Sequence, residues 1–326
     1  MANRRILVKR RKAVRNIRKI TRTMQLIATA RFQAAFNRAM ATKPYTRKLA
    51  ELVAELARAA GAAGDIEHPL LADHDDVKRA ALVVLTSSRG LAGAFNASVL
   101  RAAVGNLDQQ AAKGIETDVH MVGKKGISYF RFLRRKMAEQ STDIGEKPRY
   151  EQVEPIANAL IERFSRGEIA TAHVAYMRFL SPGQQRPVVL QLLPLTEELA
   201  AAAPPQAGAA GHESTGGAGH EGVGKESTGG AGHEKAGAAA AVLYEFSPAP
   251  RELLDELLPA VVRVRLFQAF TDAAVSEQVA RMVAMKAATD AAGDMIKALT
   301  RRYNRARQTQ ITMELLDIVG GANALS

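Results

Sequence analysis

Helix-forming residues run almost unbroken from Asn3 to about Ala63, and a second helical pattern runs from about Arg251 to Ala322. At 1.5 Å per residue the first would reach roughly 85 Å and the second on the order of 100 Å. No compact domain of 326 residues has such a diameter, so much of both helices must project. In the first, Ala13, Ile17, Ile20, Met24 and Ile27 alternate in steps of four and three. In the second, Ala292, Ile296, Leu299, Tyr303, Ala306, Gln310 and Met313 keep the same rhythm, with Gln310 as a polar interruption. Neither helix hides such a stripe alone, and pairing the two ends as an antiparallel coiled coil buries both. Pro44 is expected to interrupt the first helix, with Gly61 and Gly64 as its stops.

Charge sharpens the picture. The first fifty residues hold fifteen Lys and Arg and no acid before Glu51. The net charge of the chain is +12, so the basic N-terminal helix sets its sign. Such a helix suits nucleic-acid phosphates or acidic protein partners. Against a nucleic-acid groove, the only aromatics nearby are Phe32, Phe36 and Tyr45, beyond the densest charge. Against a transit peptide, residues 1–50 contain no Ser. Absence of cysteine excludes disulfides, thiolate metal sites and Cys nucleophiles. The longest apolar runs, such as Ala80 to Leu85, are far too short to span a bilayer.

Between the helices the pattern is α/β. Strands are expected over Ala80–Thr86, Asp118–Val122, Thr171–Phe179 and Pro187–Leu193. Helices are expected over Ala92–Ala112, Lys124–Met137 and Glu154–Ser165. This alternation implies a mostly parallel sheet covered on both faces. From about Ala200 to Ala241 the composition turns to Ala, Gly, Glu and His, and Glu213–Glu221 recurs unchanged at Glu226–Glu234. The repeat has no face to bury, so disorder is expected there. Its His-Glu pairs make a poor metal site without order. The expected organisation is therefore a coiled-coil helix over 1–65, a Rossmann-like α/β domain over 66–199 with 242–250, an insert over 200–241 and a coiled-coil helix over 251–326.

The best candidate for a ligand site is the turn Thr86 to Asn96, after a strand and before a helix. Its two glycines, Gly90 and Gly93, match neither a P-loop nor a dinucleotide fingerprint. Gly123-Lys124-Lys125-Gly126 is equally nonspecific. With no Ser/His/Asp set, paired catalytic carboxylates or metal-ligand spacing, no catalytic, cofactor or metal residue is assigned. Arg89, Gly90, Gly93 and Asn96 are read as a structural turn.

Three motifs carry a family resemblance. Lys19-Ile20-Thr21-Arg22-Thr23-Met24 with Ile27-Ala28-Thr29-Ala30-Arg31 resembles the opening helix of the gamma subunit of F-type ATP synthase. Ser88 to Asn96 resembles that family's Arg-Gly-Leu-x-Gly-x-x-Asn turn. Ser276 to Asp290, with Tyr303 to Gln308 and Ile311 to Leu315, is the strongest match. The resemblance spans nearly the whole chain except the insert. It begins near residue 1, from which a bacterial-type protein without a presequence is expected.

The resemblance implies a long antiparallel coiled coil plus a Rossmann-like central domain. It also implies a function: the rotating central shaft that couples proton or sodium flow to ATP synthesis on an alpha/beta ring. The implied partners are the alpha and beta subunits, the epsilon subunit and the membrane c-ring. Membrane contact then comes only through partners, at the cytoplasmic face of the bacterial inner membrane, with no chemistry and no cofactor in this chain. The residues carried over as ring contacts are Lys19, Ile20, Thr21, Arg22, Met24, Arg281, Arg307, Gln308, Thr312 and Glu314. The apolar tail Ile311, Leu315, Leu316, Ile318 and Val319 is expected to turn in an apolar collar. Ser88 and Ala92 depart from the family's usual Asp and frequent Cys. The insert lies near where chloroplast gamma subunits carry a thiol-regulated segment, and without cysteine it cannot be a thiol switch. The readings left standing beside this one are a basic nucleic-acid-binding coiled coil and an enzyme built on the α/β middle.

Overall fold

The computed structural model describes residues 4–61, 68–74, 76–195 and 250–324. The expected insert and its repeat lie outside the described residues. Two helices frame the molecule: α1 (Arg4–Gly61, 58 residues) and α5 (Pro250–Ala324, 75 residues). They correspond to roughly 87 and 110 Å of helix. Both run through their internal prolines, Pro44 and Pro259, so the expected interruption at Pro44 is absent. Thr42, Tyr45 and Thr46 beside Pro44 are weak helix formers, so it is the packing of buried Ala39, Thr46, Leu49 and Val53 that keeps α1 continuous where one backbone donor is lost.

Between them lie β1 (Arg79–Leu85), α2 (Phe95–Ala112), β2 (Glu116–Val122), α3 (Lys124–Phe132), β3 (Glu139–Ser141), α4 (Tyr150–Ser165), β4 (Thr171–Ser181) and β5 (Gln184–Leu193). The strands form one sheet in the order β3-β2-β1-β4-β5. All neighbours are parallel except the β4–β5 hairpin at the edge. Helix α3 is shorter than expected. Arg134, two residues beyond it, takes a positive φ of 53°, a conformation that stops a helix.

Alternation along β1 divides the core. Ala81, Val83 and Leu85 face a cluster that includes Phe164 of α4 and Leu258, Val262 and Leu266 of α5. Leu82 and Val84 face Phe95, Val99 and Ala103 of α2 and Phe130 of α3. The period of two sends successive side chains to opposite layers, giving helices on both faces of a buried sheet. Leu49 and Val53 of α1 join the first cluster. The lower halves of both long helices are thus built into the core of the α/β part. Ser276 fastens α5 to the sheet, its Oγ donating to the carbonyl of Met177 at 3.1 Å.

Beyond the sheet the two helices pair antiparallel. The α5 seam follows the expected stripe only from Ala292 to Ala306: Ala292 and Leu299 are buried, with Ile296, Tyr303 and Ala306 half-buried. Buried Met285 and Thr289 extend it backwards, whereas Gln310 and Met313, also expected in it, are exposed. The α1 seam does not follow its expected stripe. Its buried positions are Leu7, Thr21, Ala28 and Ala35, seven apart or a multiple of seven, with Val14 half-buried between the first two. The expected apolar residues Ile17, Ile20 and Ile27 are 51%, 59% and 48% exposed. Ala13 is exposed too, and of that stripe only Met24 is half-buried. Threonine and alanine let the backbones approach closely, so packing favours the small face and leaves the isoleucines outside.

Specific contacts fix the register. The Thr289 hydroxyl donates to that of Thr21 at 2.8 Å. The guanidinium of Arg11 lies 5.0 Å over the Tyr303 ring. Gly293 passes beside Arg18, where an added Cβ would meet Nε at 3.8 Å.

Candidate functional site

Two regions bear on function: the exposed surface of the paired helices, and the junction where they join the sheet. On the shaft, Lys19, Ile20 and Arg22 are exposed on α1 and Met24 is half-buried. On α5, Arg307, Gln308, Thr312 and Glu314 are all exposed. Here α5 has left the seam, since Ala306 is its last half-buried position and residues 307–320 are exposed throughout. This end carries Ile311, Leu315, Leu316, Ile318 and Val319, each 47–68% exposed. Contiguous apolar surface of this kind marks an interaction site.

Thr21 and Arg281 differ from the other carried-over residues, because the fold occupies their side chains internally. Thr21 lies in the coiled-coil seam, bonded to Thr289. Arg281 is 6% exposed. Its guanidinium meets Glu277 at 2.5 Å, Gln278 Oε1 at 3.1 Å and Glu146 at 3.7 Å. Removing one member of a buried ion pair leaves the other charge uncompensated and is costly.

The junction is organised around Glu146, in the loop between β3 and α4. Its carboxylate pairs with Arg31 of α1, with Arg89 of the β1–α2 turn at 3.5 Å and with Arg281 of α5 at 3.7 Å. One acid therefore ties both long helices to the α/β part. Sequence reasoning missed it because no motif surrounds Glu146. Only its partners Arg31, Arg89 and Arg281 fall in recognisable motifs. Burial raises the Glu277 carboxyl above the ordinary value, opposed by the hydrogen bond and charge of Arg281.

The glycine turn is braced from within. The Asn96 Oδ1 accepts from the Ser87 backbone N–H at 2.9 Å, and its amide donates to Ser87 Oγ at 2.8 Å. Gly93 takes φ +55° against α5, where an added Cβ would lie 3.7 Å from that of Ala284. The second turn is tighter. At Gly123, with φ +94°, a Cβ would fall 2.1 Å from the Thr86 carbonyl oxygen. Thr86 Oγ1 donates to the Val122 carbonyl at 2.7 Å and accepts from the Gly126 N–H at 3.0 Å. Both turns thus serve to join elements. No group of three or more His, Cys, Asp or Glu suited to a metal occurs among the described residues. No described helix is long and apolar enough to cross a membrane.

Two long helices paired as a projecting shaft, rooted through an ionic hub in a Rossmann-like domain, define an α/β stalk protein. Comparison with known proteins gives the family. The ATP synthase family model matches residues 3–325. The ATP synthase gamma chain of Rhodopirellula baltica is 40% identical over 325 residues, covering 100% of this chain and 99% of the relative. That of Leptospira biflexa is 36% identical over 326 residues, covering both chains completely. In fold, the chain is similar to a chain in the cryo-EM structure of the Euglena gracilis mitochondrial ATP synthase OSCP/F1/c-ring. The TM-score is 0.61 at 18% identity, over 99% of this chain and 94% of that one. A chain of the rotor from the same source matches with TM-score 0.57 at 15% identity, over 94% and 98%. The chain belongs to the ATP synthase gamma-chain family, the central stalk subunits of F-type ATP synthase.

The nucleic-acid reading is not supported. Besides the full-length relatives, Phe32 and Phe36 pack on Phe179 with ring centroids 6.2 and 5.8 Å away, so they are not free stacking platforms.

Proposed function

We propose that this chain is a non-catalytic rotor whose paired helices turn inside a ring of alpha and beta subunits. The observation that carries this reading is the far end of α5. There Ile311, Leu315, Leu316, Ile318 and Val319 stand exposed beyond the region where α1 covers the helix. An apolar collar supplied by a partner would bury them. Lys19, Ile20, Arg22 and Met24 on one helix, with Arg307, Gln308, Thr312 and Glu314 on the other, are the side chains offered to the ring. Thr21 and Arg281 act from inside, by holding the seam and the root of the shaft.

Exposed charges facing acidic loops contribute modestly one by one, because solvent screens them. Coupling needs something else: each angle of an asymmetric shaft must stabilise one catalytic conformation over another. The shaft has that asymmetry, since exposed isoleucines lie on α1 and a lone apolar end on α5. The α/β part would rest on an epsilon subunit and the c-ring, at the cytoplasmic face of the bacterial inner membrane. The proposed division is a shaft from 1–65 and 251–326, an α/β domain from 66–199 with 242–250, and an insert over 200–241.

The test is co-expression with the same organism's alpha and beta subunits, followed by ATPase assay. The chain should purify at one copy per three alpha–beta pairs. Ile311→Ser with Leu315→Ser should lower the ATPase rate of the complex while leaving the isolated chain folded. A chain that purifies alone, or a double variant with unchanged ATPase, overturns the reading.

A further inference from the structure

A cleft of about 910 Å³ opens at the junction, a volume typical of small-molecule sites. It lies beyond the carboxyl end of β1. From there the chain crosses to β2 on one side, while β4 lies on the other. Open α/β sheets bind ligands at this switch point. The walls come from α1, the β1–α2 turn, the loop 143–149 and α5.

The side chains lining it have one chemical bias. Five cations, Arg31, Arg38, Arg89, Lys147 and Arg149, face three acids, Asp143, Glu146 and Glu277. Two of those acids are already engaged, Glu277 by Arg281 and Glu146 by three arginines. Arg38, Lys147 and Arg149 have no ion pair among the described residues. Two buried donors are also without partners. Gln278 is 1% exposed, lines the cleft, and its Nε2 makes no hydrogen bond. Ser88 Oγ, in the β1–α2 turn that also lines the cleft, is likewise unpartnered. An unpaired buried polar group is costly, and acceptor oxygens relieve it. Arginine forks match phosphate oxygens.

We infer that this cleft binds a small phosphate-bearing anion, held by Arg38 and Arg149 with Ser88 and Gln278 as neutral donors. Because the walls belong to both the shaft and the α/β part, the bound anion joins them. Ligand binding then stabilises the root of the shaft by mass action. The inference stands on the geometry of this chain alone and is independent of the rotor reading.

The test uses the purified full-length chain in equilibrium dialysis against labelled inorganic phosphate, pyrophosphate and ADP. Saturable one-to-one binding of at least one probe is expected. Losing a charged hydrogen bond weakens binding by about tenfold or more, so Arg38→Gln and Arg149→Gln should each do so. Ser88→Asp, which adds a carboxylate to the wall, should act in the same direction. Arg301→Gln, on the exposed shaft, should leave affinity unchanged. Equal affinity for pyrophosphate and ADP would make the phosphates the recognised group, while preference for ADP would add the nucleoside, and either supports the site. Arg149 lies at the start of α4, so circular dichroism checks its fold, whereas Arg38 is on an exposed helix face and tests the site without that complication. Absence of saturation, unchanged affinity in Arg38→Gln, or equal weakening by Arg301→Gln overturns the inference.

Discussion

Replacing Arg281 by methionine keeps most of the side-chain volume but removes the cation beside two carboxylates. Glu277 is 7% exposed and sits 2.5 Å from the guanidinium, with Glu146 at 3.7 Å. Breaking a buried pair by removing one partner costs about 3–5 kcal/mol. Glu146 keeps Arg31 and Arg89, so most of the loss should fall on Glu277. The Glu277 carboxyl is already raised by burial, and without Arg281 it should rise further. For a carboxyl raised on folding, the favourable contribution is fully present below the unfolded pKa. It is lost as pH rises through the folded value. The penalty of Arg281→Met should therefore be largest near neutral pH and shrink as pH falls, because Glu277, raised above the ordinary carboxyl value, takes up its proton before that value is reached. The assay is urea unfolding of the isolated full-length chain across that range, followed by the near-ultraviolet signal of buried Tyr176. The double variant Arg281→Met/Glu277→Leu should recover most of the loss. A single-variant penalty below about 1 kcal/mol at neutral pH, or one independent of pH, would refute the reasoning.

Gly123→Ala should cost more than about 3 kcal/mol, through its positive φ and a Cβ placed 2.1 Å from the Thr86 carbonyl, as measured by urea midpoint. Thr289→Val should cost about 0.5–1.5 kcal/mol, since it removes the hydrogen bond to Thr21 across the seam. Combining it with Thr21→Val should recover part of that loss in a double-mutant cycle. Leu258→Ala, at a residue 1% exposed against the sheet, should cost about 2–5 kcal/mol in the same assay. Leu316→Ser, at a residue 61% exposed, should leave unfolding of the isolated chain within about 0.5 kcal/mol of the parent.

The sequence patterns that translated directly were those where one property decides position. Buried strands read as apolar runs, and Ala81 to Leu85 occupies the middle of the sheet as expected. The α5 stripe from Ala292 to Ala306 matched because its seam residues are also its apolar ones. On α1 the two properties separate. Hydrophobicity selects Ile17, Ile20 and Ile27, whereas close helix packing selects Thr21, Ala28 and Ala35. The strict seven-residue spacing of small residues was the available signal, and the bulkier isoleucines masked it. The short strand β3, three residues long, carries no periodicity to read. The Glu146 hub was hidden for another reason: its partners are 115, 57 and 135 residues away. Only the folded topology brings those charges together.

Rotation measures the central claim most directly. The chain has no cysteine, so Lys136→Cys on the exposed surface of the α/β part provides a single attachment point for a probe. With the alpha–beta ring immobilised and ATP supplied, the probe should turn in one direction in three steps per revolution, and stop when ATP is removed. A complex that hydrolyses ATP while the probe stays fixed relative to the ring would contradict the account.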